Sequence, residues 1–129
     1  MERRALQIAI LLAGCVPVAA GGAGVWRGAA AFGPWPGMGA DSHVRYLSGL
    51  LLAIGLIYWS LVPSIERRGG AVRLLTLMVF IGGLARLAGA VFVGDPGSMR
   101  WALVMELGVA PLLCLWQARI GRRLDERSV

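Results

Sequence analysis

The chain is 129 residues long, 57% of them hydrophobic and only 16% charged, with a mean hydropathy of +0.70. That leaves room for one domain. A water-soluble fold of this size could not hide so much apolar surface, and a disordered chain would carry far less of it. The net charge of +6 comes from 13 basic residues, all of them arginine. They fall in short clusters between apolar runs rather than along an aromatic-studded groove. This points to anionic lipid heads at one membrane face and away from nucleic acid.

Four apolar runs follow one another, at about 5–26, 44–62, 72–93 and 101–117. Each matches a hydrocarbon layer ~30 Å thick at ~1.5 Å of rise per residue. None alternates as a strand would, and a lone span must satisfy its backbone internally, so all four are expected to be helices. The fold class this predicts is an all-α, integral membrane four-helix bundle, one domain over residues 1–129. Breakers separate the runs: Gly33-Pro34-Trp35-Pro36-Gly37, Pro63-Ser64 and Gly94-Asp95-Pro96-Gly97. Asp41 or Ser42 is the expected N-cap of the second helix. Pro17 and Pro111 lie inside helices and should kink them unless neighbours satisfy the freed carbonyls. Cys15 and Cys114 sit within apolar runs, match no metal-ligand spacing, and read as small apolar residues.

Orientation follows from the arginines. Arg3, Arg4, Arg67, Arg68, Arg73, Arg119, Arg122, Arg123 and Arg127 fall on one side; Arg27, Arg45, Arg86 and Arg100 lie nearer the other. The positive-inside rule places both termini and the 63–71 connection in the cytoplasm, with 27–42 and 94–100 facing outward. Tryptophans mark the same boundaries, Trp26, Trp35 and Trp101 outside, Trp59 and Trp116 inside. Segment 27–42 is expected to fold back as a cap on the outer interface. Leu12-Ala13-Gly14-Cys15 looks like a lipoprotein cleavage box, but the apolar run continues past it to Trp26, which favours an uncleaved first span.

An ionisable residue inside a span costs about 2.5–3.5 kcal/mol on insertion, so each needs a reason. Arg86 and Glu106 are the two clear cases. Both lie roughly 8–10 Å below the outer boundary at ~1.5 Å per residue, on consecutive helices of opposite direction, which predicts a salt bridge. Gly82, Gly83, Gly89 and Ala90 flank Arg86, while Ala102 and Ala110 flank Glu106, the small-residue pattern of close helix packing. Arg45 stands on the second helix with Asp41 four residues before it, and His43 and Tyr46 nearby. The bland account makes Arg86–Glu106 a register pair, Arg45 an interfacial anchor and His43 an exposed residue. The sharper one gathers Asp41, His43, Arg45, Tyr46, Arg86 and Glu106 around an outward-facing pocket. Its positive excess would suit an anionic group such as a lipid phosphate. No metal site follows from one histidine beside Asp41, no catalytic residue stands out, and no cofactor is implied.

Asp41-Ser42-His43-Val44-Arg45-Tyr46-Leu47-Ser48-Gly49-Leu50, Arg73-Leu74-Leu75-Thr76, Gly82-Gly83-Leu84-Ala85-Arg86 and Met105-Glu106-Leu107 resemble a family of short bacterial inner-membrane proteins of unknown function. Its members have four predicted spans and are distantly similar in layout to DoxX-like proteins. The resemblance implies membrane insertion and four spans but brings no activity with it. The function expected is a non-enzymatic accessory or amphiphile-binding role, with membrane lipids or a larger membrane assembly as partners. The alternatives are a small transporter or proton-coupled exchanger using Glu106, and a membrane enzyme acting on a lipid-like substrate. An accessory role predicts a lipid-exposed small-residue face, Ala20 and Gly24 on the first helix being the candidates.

Overall fold

The computed structural model describes residues 2–34, 37–94, 97 and 100–125. Every element among these residues is helical. α1 is Glu2–Arg27, extended by a 3₁₀ turn at Gly28–Ala31. α2 is Met38–Leu61, followed by 3₁₀ turns over Val62–Arg67, and α3 is Gly69–Val93. The last run consists of α4 (Arg100–Leu103), a π-helical stretch at Val104–Val109, and α5 (Ala110–Asp125). Four stretches, Glu2–Ala31, Met38–Arg67, Gly69–Phe92 and Arg100–Arg123, are long and apolar enough to cross a membrane. This is the all-α, multi-pass layout that the apolar runs predict. Leu12, Leu56, Leu74, Ile81, Val91, Leu112 and Leu115 are all exposed, as side chains solvated by hydrocarbon can be. Trp35 and the tip of the 94–100 turn (Asp95, Pro96, Ser98 and Met99) lie outside the described residues, as does Arg127.

The helices outrun their apolar cores, and the differences have local causes. α2 begins at Met38, a turn and a half before Val44, with Gly37 at the cap position instead of Asp41 or Ser42. Gly37 has φ 99°, a conformation that favours glycine. Asp41 therefore sits inside the first turn, where its carboxylate is free to serve another segment. At the far end of α2, Pro63 has no N–H for the Trp59 carbonyl, four residues back. The Val62 N–H closes onto that carbonyl instead, which tightens the helix into 3₁₀ turns until Ser64 breaks it at φ −128°, ψ 30°. Pro111 has the opposite outcome. It cannot bond the Leu107 carbonyl, and the turn just before it widens, so that the Ala110 N–H reaches Met105, five residues back. Pro17 lies within α1, which continues through it to Arg27.

The chain divides into two compact units, one formed by Leu11–Val62, the other by the chain up to Ile10 together with the chain from Pro63 onward. In the first, α1 and α2 approach through small residues. A methyl group on Gly21 would stand 2.5 Å from the Leu52 backbone nitrogen, and one on Gly24 would run into the Ser48 side chain. Such close approach is how helices associate where lipid removes the hydrophobic drive between them. Gly24, a candidate for a lipid-exposed face, is thus buried within the unit. The Trp59 indole donates to the Leu11 carbonyl at 3.1 Å.

The second unit holds most of the buried apolar side chains. Leu6 and Ile10 of α1, Ile65, Val72 and Leu75, and Ile120 of α5 are all buried. Gln117, only 2% exposed, donates from Nε2 to the Ile65 carbonyl at 2.9 Å. Arg123 reaches Glu2 at 2.8 Å, and Arg3 reaches both Glu66 (3.1 Å) and the Pro63 carbonyl (2.9 Å). The start of α1, the Val62–Arg67 turns and the last turns of α5 therefore meet at one end.

Candidate functional site

Four of the six candidate residues pair up, Asp41 with Arg45 in one unit and Arg86 with Glu106 in the other. In the Leu11–Val62 unit, Asp41 is 7% exposed and accepts the Ala29 N–H at 2.8 Å and Arg45 Nε at 2.8 Å. Arg45 then reaches back with Nη1 to the carbonyls of Val25 (2.8 Å) and Trp26 (3.1 Å), which end α1. A helix leaves its last carbonyls without intrahelical donors, and a cation there complements both these orphans and the helix dipole. Asp41 performs the converse service for the N–H of Ala29 in the following turn. Gly28 makes this possible: it has φ 61°, and a methyl there would strike the Asp41 carboxylate. Asp41 and Arg45 thus clamp the α1–α2 connection. His43 and Tyr46 are exposed on α2 and make no hydrogen bond to either of them among the described residues.

In the other unit, Arg86 of α3 meets Glu106 of the π stretch. The contact is two-pronged, Nε to Oε2 and Nη2 to Oε1, each at 3.0 Å. Parallel forks of this kind are the strongest arginine–carboxylate geometry. The salt bridge expected from the matching depths of the two residues is present. Gly83 is the glycine that admits it, since a methyl there would stand 2.9 Å from Glu106 Cβ and 2.8 Å from Leu107. Gly82 and Gly89, expected to share that role, have open space where a Cβ would be. The π turn is the second device, because it sets the direction in which Glu106 leaves its helix. π turns inside α-helices recur at functional sites.

The charge arrangement differs from the expected one. Two arginines against one deep carboxylate would leave a positive excess, but Arg45 has its own carboxylate in Asp41, as Arg86 has in Glu106. Arg45, its side chain 43% exposed, directs Nε to Asp41 and Nη1 to the end of α1.

A family model described as a domain of unknown function, DUF4345, matches residues 5–117. The chain belongs to that family. The match runs from the first turns of α1 to Gln117 in α5 and takes in both the Asp41–Arg45 clamp and the Arg86–Glu106 fork. No curated protein and no solved structure matches the chain.

Sequence reasoning missed a group at the opposite end of α3, where Arg3, Arg67, Arg73 and Arg122 surround Gln117. In the sequence the arginines read as attraction to anionic lipid heads at one face and as orientation signals, without a concave site among them. The available signal was Gly69-Gly70 directly after Arg67-Arg68, together with Gln117 one helical turn before Gly121.

Proposed function

We propose that the chain is a non-enzymatic, amphiphile-binding protein of the bacterial inner membrane, in which Arg86 and Glu106 hold the polar part of the ligand. The observation that carries this reading is the incomplete cover of the pair. It lies within apolar helices, yet 35% of the Arg86 side chain and 17% of Glu106 remain exposed. The neighbours Leu84 and Leu87 are exposed too, as a surface facing acyl chains would be. An ion pair with its edge in hydrocarbon is costly, and such residues mark functional sites more often than chance. A bound headgroup relieves that cost with hydrogen bonds. Because the two charges cancel, the best fit is a neutral or zwitterionic polar group rather than a lone anion.

Both termini are assigned to the cytoplasm. Nine of the 13 arginines lie before residue 5, between residues 67 and 73, or beyond residue 118, and the described parts of those stretches meet at one end. The positive-inside rule places that end in the cytoplasm. Membrane lipids are the partners this reading requires, and nucleic acid has no place in it. Transport would need polarity beyond Glu106, and there Gln117 is already engaged with the Ile65 carbonyl. Acid–base catalysis by Glu106 would need a free carboxylate oxygen, whereas both are bonded to Arg86.

The test is native mass spectrometry of the full chain released from mild detergent. Co-purifying lipid on the wild type that is lost in Arg86→Ala, with helicity unchanged, supports the assignment. A stoichiometric protein partner in place of lipid replaces it with the accessory role. Bare wild-type protein overturns both.

A further inference from the structure

The basic end of the second unit is concave. The last turns of α5, the first turn of α3 and the start of α1 line an open hollow of about 840 Å³, within the range of small-molecule sites, about 300–1,000 Å³. Its charged lining is four arginines, Arg3, Arg67, Arg73 and Arg122, against one carboxylate, Glu66. That carboxylate is already taken: its side chain is 9% exposed and pairs with Arg3 at 3.1 Å. Arg73 donates from Nε to the Gly69 carbonyl at 3.2 Å, which leaves its two terminal nitrogens beyond that bond. Arg67 and Arg122 make no ion pair or hydrogen bond among the described residues. Arg67, Arg73 and Arg122 thus line one hollow with no ion pair of their own among the described residues.

The hollow is built rather than incidental. Gln117 forms its floor, 2% exposed and fixed by its bonds to the Ile65 carbonyl (2.9 Å) and the Glu66 carbonyl (3.4 Å). Gly121 lets α5 come close to the Glu66 carbonyl, which a methyl would meet at 3.2 Å, and Gly70 borders the hollow with open space where its Cβ would be. Gly69 and Gly70, at the start of α3, line the hollow, and that first turn carries no side-chain cap, so the positive end of the helix lies beside it. Arginines that only oriented the chain would be expected to splay over a convex end. Forked donors around a hollow and over a helix N-terminus are what a phosphate group requires.

We propose that this groove binds a phosphate-bearing anion, either the headgroup of an anionic lipid or a soluble phosphate compound. The site takes no part in the reading given for Arg86 and Glu106, and either can fail without the other. The full chain is placed in phosphatidylcholine nanodiscs, and binding is followed by native mass spectrometry. In one arm inorganic pyrophosphate is titrated; in the other phosphatidic acid replaces part of the lipid. Binding in the lipid arm alone identifies a headgroup site, and binding in the pyrophosphate arm identifies a site open to soluble phosphates. Arg67→Gln/Arg122→Gln is expected to bind at least ten-fold more weakly. Gly70→Leu, which fills the hollow without removing charge, should do the same. Arg68→Gln removes a charge from the same end but not from the lining, since Arg68 turns to Ser64; it should bind as wild type. No binding in either arm overturns the proposal. So does an equal loss in Arg68→Gln with Gly70→Leu unaffected, because the arginines would then form only a diffuse basic surface.

Discussion

Arg86 and Glu106 meet as parallel forks, two bonds of 3.0 Å each, and the two helices meet them differently. α3 offers Arg86 from regular helix with Gly83 one turn away, whereas Glu106 projects from a π turn. The two devices act together: the missing Gly83 side chain brings the backbones close, and the widened turn sets the direction of Glu106. A residue-by-residue α-helical register for the last run would aim Glu106 differently relative to α5.

Removing one partner should be worse than removing both. Glu106→Leu takes from Arg86 the carboxylate that it grips with two bonds inside the apolar layer, and the expected loss is about 2–3 kcal/mol. That is below the roughly 3–5 kcal/mol of a fully buried pair because part of Arg86 stays exposed. Arg86→Leu/Glu106→Leu, with both charges gone, should be more stable than Glu106→Leu alone. Reversible unfolding in mixed micelles measures all three proteins. A double variant less stable than the single one would contradict this account of the pair.

The α1–α2 contact gives a prediction with an internal control. Gly21→Leu must force its side chain against the Leu52 backbone, and overpacking of that kind costs about 1–3 kcal/mol. Gly22→Leu should be nearly neutral, since nothing stands within 4 Å of where its Cβ would lie. The same unfolding assay ranks the two. Equal sensitivity at both positions would show that helix propensity, and not close approach, governs this segment.

Asp41 is expected to matter for the fold and His43 not to. Asp41→Ala removes the acceptor for Ala29 and releases Arg45 from its clamp on the end of α1. Its Tm should fall clearly. Asp41→Asn keeps an acceptor oxygen and should fall less, while His43→Ala, exposed and without a bond to the clamp, should match wild type. A lipid-binding loss in His43→Ala at unchanged Tm would instead return His43 to the ligand site.

The helices were legible because hydrocarbon imposes one rule on sequence, about twenty apolar residues per crossing, and that rule hardly depends on detail. The Arg86–Glu106 bond was legible for the same reason: two opposite charges at one depth have few other partners. What escaped the sequence is geometry that proline creates indirectly. Pro63 and Pro111 remove the same kind of hydrogen bond, yet one tightens its turn and the other widens it, because the outcome depends on which neighbouring N–H can take over the acceptor. The role of Asp41 was hidden by the choice of cap, as Gly37 starts the helix a turn earlier. The basic hollow escaped because its arginines come from three distant segments, and periodicity cannot see a concavity.

Topology gives the last prediction. In a chain with Cys15 and Cys114 replaced by Ala, single cysteines introduced as Arg4→Cys, Arg122→Cys and Gly33→Cys report three positions. Arg4 and Arg122 belong to the end where Glu2 pairs with Arg123, while Gly33 follows α1 at its other end. A membrane-impermeant maleimide added to intact cells should label Gly33→Cys and leave the other two unlabelled until the membrane is opened. The physical basis is the arginine bias, since each translocated Arg near a short loop opposes insertion in that direction. Labelling of Arg4→Cys and Arg122→Cys from opposite sides would require an odd number of crossings. Labelling of both from outside would keep the four spans but invert them, and would place the basic hollow in the outer leaflet.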